Sequence, residues 1–141
     1  MKILVGFDGT NAAKEAITLA EQHADVFNAT IILAYSMVGG AEVPRRDFEI
    51  AENSLEHEKA ALLDKKMPCE SIMSVRGLEA GEDLVRIAEE QQADEVIIGV
   101  RRRSKVGKLI FGSTAQFVVL NAPCPVVTVK SGVIWQKADN R

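Results

Sequence analysis

Cysteine is scarce, and no long apolar run interrupts the chain. Its two cysteines, Cys69 and Cys124, lie far apart and have no metal-like spacing with His23 or His57. A disulfide framework and a Cys/His metal centre are therefore set aside, and both thiols read as packed or inert. No apolar stretch approaches the roughly 18–20 residues that a helix needs to cross a bilayer. The opening, Met1-Lys2-Ile3-Leu4-Val5-Gly6, turns polar by Asp8, too soon for the apolar core of a secretory leader. The cytoplasm is the expected location. Net charge is −3, so the chain as a whole has no electrostatic pull toward nucleic acid or an anionic membrane, and neither is expected as a partner. Any basic site must be local.

At 141 residues, 47% hydrophobic and 26% charged, the chain suits one soluble domain with a sizeable core. Short aliphatic runs alternate with longer amphipathic ones. Ile3-Leu4-Val5 reads as a first strand, followed over residues 12–27 by Ala13, Ala16, Ile17, Ala20, Ala24 and Phe27 on one helical face. Thr30 to Tyr35 reads as a second strand. Gly39-Gly40 and Pro44 mark a loop before a helix over 46–66, with Phe48, Ala51, Leu55 and Leu62 inward. Glu70 to Val75, the least apolar strand, belongs nearer an edge. A helix over 80–92 turns Leu84, Ile87 and Ala88 inward, and Val96-Ile97-Ile98 is a strand buried on both faces. A last helix starts at Gly112-Ser113 with Val118, Val119 and Ala122 inward, before Pro125 opens a strand over Val126 to Val129. Five strands alternating with four helices predict an α/β domain over residues 1–130, a parallel sheet with helices on both faces, and a polar tail over 131–141 that contains Trp135. There is no internal repeat and no linker.

In such sheets ligands bind beyond the carboxyl ends of the strands, where connections diverge. Two segments there carry chemistry. Gly6-Phe7-Asp8-Gly9-Thr10 follows the first strand, and Asp8 can accept hydrogen bonds from a nucleoside or help hold a divalent metal beside phosphates; Asp-Gly is also a common turn pair. The second segment runs from Gly99 to Thr114. Helix-opening N–H groups suit phosphate oxygens, Gly112 leaves room for close approach, and Ser113 and Thr114 add hydroxyls. Arg101, Arg102, Arg103, Lys105 and Lys108 lie between, a concentration of cations attractive to a polyanion. Equally, those cations could be a solvated loop and Ser113 a helix cap. A Walker loop is excluded, because Gly107-Lys108 is followed by Leu109. A phospho-accepting receiver lacks its further carboxylates, and neither His23 nor His57 can be placed in a catalytic triad.

Three stretches together, Gly99-Val100-Arg101-Arg102-Arg103-Ser104, Gly112-Ser113-Thr114 and Asn121-Ala122-Pro123-Cys124-Pro125-Val126, resemble the carboxyl half of universal stress proteins. Ile3 to Thr10 resembles their first strand and loop, and the similarity runs from residue 1 to about 130. The resemblance implies an adenine nucleotide alpha hydrolase-like fold with strand order 3-2-1-4-5. It also implies an adenine nucleotide, ATP above all, brought with Mg2+ or Mn2+, and a homodimer formed through the last strand, Val126 to Val129. Carried onto this sequence, Asp8 contacts the nucleoside, with Phe7, Gly9 and Thr10 in the same loop. The Tyr35 backbone reads the adenine edge, Gly99 lies under the ribose and phosphates, and Gly112, Ser113, Thr114 and Ala115 receive the phosphates. ATP-binding members have a glycine three residues after the one matched by Gly99; here Arg102 stands there, adding bulk but also charge.

Three functions remain open at this stage: a nucleotide-binding regulatory protein of the stress response, a weak ATPase or phosphotransferase using the cations and an Asp8-bound metal, and a nucleotide-free dimerisation module.

Overall fold

Side chains along each strand alternate between two apolar layers, and that alternation organises the molecule. The computed structural model describes residues 1–100 and 111–131. In chain order the elements are β1 (Lys2–Gly6), α1 (Asn11–Phe27), β2 (Thr30–Met37), α2 (Arg45–Asp64), β3 (Cys69–Val75), α3 (Ala80–Gln91), β4 (Glu95–Val100), α4 (Ser113–Asn121) and β5 (Val126–Lys130). The strands form one parallel sheet in the order β3-β2-β1-β4-β5, as expected.

Ile3 and Val5 of β1, Ile31 and Leu33 of β2 and Ile97 of β4 face α1 and α2, where they meet Ala16, Ala20, Leu55 and Leu62. The intervening Leu4, Ile32, Ala34, Val96 and Ile98 face α3 and α4, against Leu84, Ile87, Ala88 and Val118. Both layers are apolar, so the central strands carry no polar face, as a parallel sheet covered on both sides requires. β3 is an edge strand, which explains its more polar composition.

Helix ends follow local chemistry. Thr10 caps α1, its Oγ1 accepting from the Ala13 N–H at 3.2 Å. Asn28 and Gln92 close α1 and α3 in the left-handed region, at φ of 54° and 53°.

The structure corrects the sequence reading at several points. β2 runs two residues past Tyr35, with Ser36 and Met37 pairing to Ser74 and Val75. β4 continues through Gly99 to Val100, which pair with Val129 and Lys130 of β5. Val119 does not point inward: it is 47% exposed, and the buried residues of α4 are Ala115 and Val118. Phe48 is only half-buried. Phe27 ends α1 beyond the sheet and is exposed, its ring edge-on to His23.

Candidate functional site

β1 leads to a helix on one face of the sheet, while the segment after β4 leads to a helix on the other. The diverging connections leave a crevice at the carboxyl edge. A cavity of about 500 Å³ fills it. Gly6, Phe7, Asp8 and Thr10 bound it from β1 and the following loop, Ala34 and Ser36 from β2, and Ile98, Gly99 and Val100 from β4. Gly112, Ser113, Thr114 and Ala115 form the opposing wall, and Leu84 of α3 lies on the floor. The two segments singled out in the sequence thus face the same space.

The Asp8 loop is built by its own hydrogen bonds. Asp8 Oδ1 accepts from the Thr10 N–H at 3.0 Å and from the Thr10 hydroxyl at 2.6 Å. Gly9 adopts φ +81°, a conformation costly for any residue with a Cβ. The turn role of Asp8 is therefore real, and the carboxylate remains exposed at the cavity. Gly9 itself is not part of the cavity wall.

Tyr35 also lies outside the wall, because its side chain points into the opposite layer, between Ala34 and Ser36, which do line the cavity. There the ring stands edge-on to Phe7, with centroids 6.0 Å apart, and its hydroxyl donates to the Asp8 carbonyl at 3.3 Å. Burial and the nearby Asp8 charge raise its pKa. The side chain props the Asp8 loop from behind.

At the other wall, Gly112 is the N-cap of α4 and Ser113 the first helical residue. The alternative in which Ser113 caps the helix does not hold. Gly112 has no side chain to take up the opening N–H groups, so the α4 start presents them, with the exposed Ser113 and Thr114, at the cavity. Gly112 has φ −68°, and among the described residues, its chain neighbours aside, nothing lies within 4 Å of where a Cβ would stand, so neither backbone strain nor the described packing demands glycine there. Arg101, Arg102, Arg103, Lys105 and Lys108 lie outside the described residues.

The described residues build no metal centre of their own. No group of three or more His, Cys, Asp or Glu among them could hold an ion, and one Asp8 oxygen already takes two hydrogen bonds. The cysteines behave as read: Cys69 is buried, which pushes its thiol up to about 11, and Cys124 is shifted the same way by burial.

A polar cluster behind the cavity escaped the sequence reading. Asp83 of α3 is 0% exposed. Ser36 donates to its Oδ2 at 2.5 Å, and Arg76 donates from Nε to Oδ1 at 2.6 Å. Arg76 also grips Glu90 through both terminal nitrogens, at 3.0 and 2.8 Å. Burial alone would raise the Asp83 pKa, but hydrogen bonds from Ser36, Ser74 and Arg76, with the Arg76 charge, hold it below its ordinary value. The available signal was a carboxylate one residue before Leu84 and four before Ile87, inside the apolar stripe of an amphipathic helix.

The chain matches the model of the universal stress protein family over residues 1–130. It is 31% identical to a universal stress protein of Mycolicibacterium smegmatis, across 91% of this chain and 96% of that one. A universal stress protein structure from Archaeoglobus fulgidus superposes with a TM-score of 0.84 at 32% identity, covering 92% of this chain and 98% of that one. A second structure of the universal stress protein from that organism, in complex with dAMP, gives 0.78 at 27% identity, with coverage again 92% and 98%. Sequence, sheet order and crevice all agree: the chain belongs to the universal stress protein family.

Proposed function

We propose that this protein binds an adenine nucleotide, with ATP as the working ligand, and acts as a regulatory module whose liganded form a partner recognises. One observation carries the reading: the uncapped start of α4 and the Asp8 loop are opposite walls of a single cavity at the sheet's carboxyl edge. Phosphates fit the α4 wall, where backbone N–H groups and two hydroxyls converge. The nucleoside then extends across β1 toward β2, two strand widths or about 10 Å away, with Asp8 beside it. The dAMP complex of the Archaeoglobus fulgidus relative supports adenine as the base. Arg101, Arg102 and Arg103 are assigned to phosphate charge. A divalent ion, Mg2+ or Mn2+, would enter with the phosphates and take at most one oxygen from Asp8.

Two further assignments complete the reading. A second copy pairs along β5, an edge strand whose Val126 and Val127 are only partly buried; pairing there protects an otherwise open edge. The protein works in the cytoplasm; no described helix is long and apolar enough to cross a membrane.

A thermal-shift comparison of ATP, AMP, cyclic AMP and GTP tests the proposal. A ligand at a hundredfold excess over Kd stabilises the native state by about 2.7 kcal/mol. Adenine nucleotides are expected to raise Tm, and the absence of a shift with all of them would count against the reading.

A further inference from the structure

Ser36 occupies an unusual position. It lines the cavity at the β2 end, and behind it lies a fully buried carboxylate. Asp83 is held ionised by Arg76, and an ionised carboxylate only accepts hydrogen bonds. The proton on Ser36 Oγ must therefore point at Asp83, away from the cavity. Only lone pairs of that oxygen remain for a ligand. An isolated serine would rotate its hydroxyl to suit either a donor or an acceptor; this one cannot.

Ser36 enters the cavity from β2, and β1 separates β2 from β4, the strand that leads on to α4. If the phosphates occupy the α4 wall, the base falls beside Ser36. We infer that Ser36, oriented by Asp83 and Arg76, is a specificity-determining acceptor that selects purines carrying an amino donor at ring position 6 over those carrying a carbonyl there. Asp83 and Arg76 act through Ser36 and are positioning residues. The inference rests on the nucleotide reading and adds the discrimination that phosphate contacts alone do not supply.

A carbonyl facing the fixed lone pairs suffers repulsion and leaves both oxygens without a donor, a mismatch that binding sites penalise strongly. An amino group in the same place gains a hydrogen bond. AMP and IMP differ in this respect at position 6, and purine riboside 5′-monophosphate carries only hydrogen there.

Calorimetric titration of these three nucleotides tests the inference. The wild-type protein should bind AMP at least about tenfold more tightly than IMP, with the unsubstituted nucleotide between them. In Ser36→Ala the AMP-to-IMP ratio should shrink to within about threefold, because neither lone pairs nor proton remain. Equal affinities in the wild type, or a ratio unchanged in Ser36→Ala, would overturn the inference while leaving nucleotide binding intact. Failure of all three to bind the wild type would instead overturn the nucleotide reading, and this inference with it. The wild-type order needs no variant, so a poorly folding Ser36→Ala does not remove the test.

Discussion

Gly99 and Ala12 are packed so closely that a Cβ on Gly99 would stand 2.4 Å from both the carbonyl carbon and the carbonyl oxygen of Ala12. The first turn of α1 lies directly on β4, and this contact fixes how the Asp8 loop meets the end of the fourth strand. Backbone cannot swing aside as a flexible side chain can. Gly99→Ala should therefore cost about 1–3 kcal/mol, read from urea unfolding, and should widen the cavity between α1 and β4. A variant as stable as the wild type would show that the contact yields more easily than the geometry implies.

Gly112 gives the opposite prediction. Its φ is ordinary, and among the described residues, its chain neighbours aside, no atom lies within 4 Å of a Cβ placed there. Gly112→Val should cost no more than about 1 kcal/mol, through its poorer helix-capping preference, yet should weaken nucleotide binding at least about tenfold by blocking the approach of phosphate. Stability and affinity measured on the same preparation separate the two effects. Unchanged affinity would mean that the α4 start is not where the anion binds.

Arg76 is the charged partner of a fully buried Asp83. Removing it leaves Asp83 with hydroxyl donors and no opposite charge, so Arg76→Leu should destabilise by about 2–3 kcal/mol, below the cost of breaking a wholly buried pair because Arg76 is itself partly exposed. Chemical denaturation checks this. A loss under about 0.5 kcal/mol, as expected of a surface pair, would contradict it.

The same carboxylate predicts an acid limb. The folded-state pKa of Asp83 is depressed, so the unfolded chain takes up its proton first as pH falls. Its contribution to stability is present above the ordinary carboxylate value, roughly pH 4, and is lost as pH falls through the depressed one. The stability difference between wild type and Asp83→Asn should therefore be largest near neutrality and shrink below about pH 4. A difference that stays constant between neutrality and strong acid would rule out an ionised Asp83.

The alternation of strands and helices and most of the core were legible because they rest on repetition: Ile3, Ile31 and Ile97 sit in aliphatic runs whose character survives any local detail; the strand order was implied by the family resemblance, not by spacing. The two halves of the candidate site were legible for a different reason, since Asp8-Gly9 and Gly112-Ser113 are each marked by residue types with strong backbone or helix-end preferences. Ser36 and Asp83 were not found, because a lone serine after a strand carries no signal, and an acid within the apolar stripe of a helix has no identifiable partner until the topology brings β2 and α3 together. Val119 was misjudged since an apolar residue in a nine-residue helix satisfies too few periods to fix its face. Tyr35 was assigned to the site through its backbone alone; strand alternation sends its side chain to the far layer, where it supports the Asp8 loop.

The most direct test is an NMR titration of the labelled protein with AMP, following backbone amides up to about 1 mM, where even a Kd of that order, worth about 4 kcal/mol, is visible. Saturable shifts at Gly112, Ser113 and Thr114, together with Asp8 to Thr10 and Ser36, are the predicted result. No saturable change at those amides, or changes confined to β5 and the outer face of α4, would contradict nucleotide binding in the crevice.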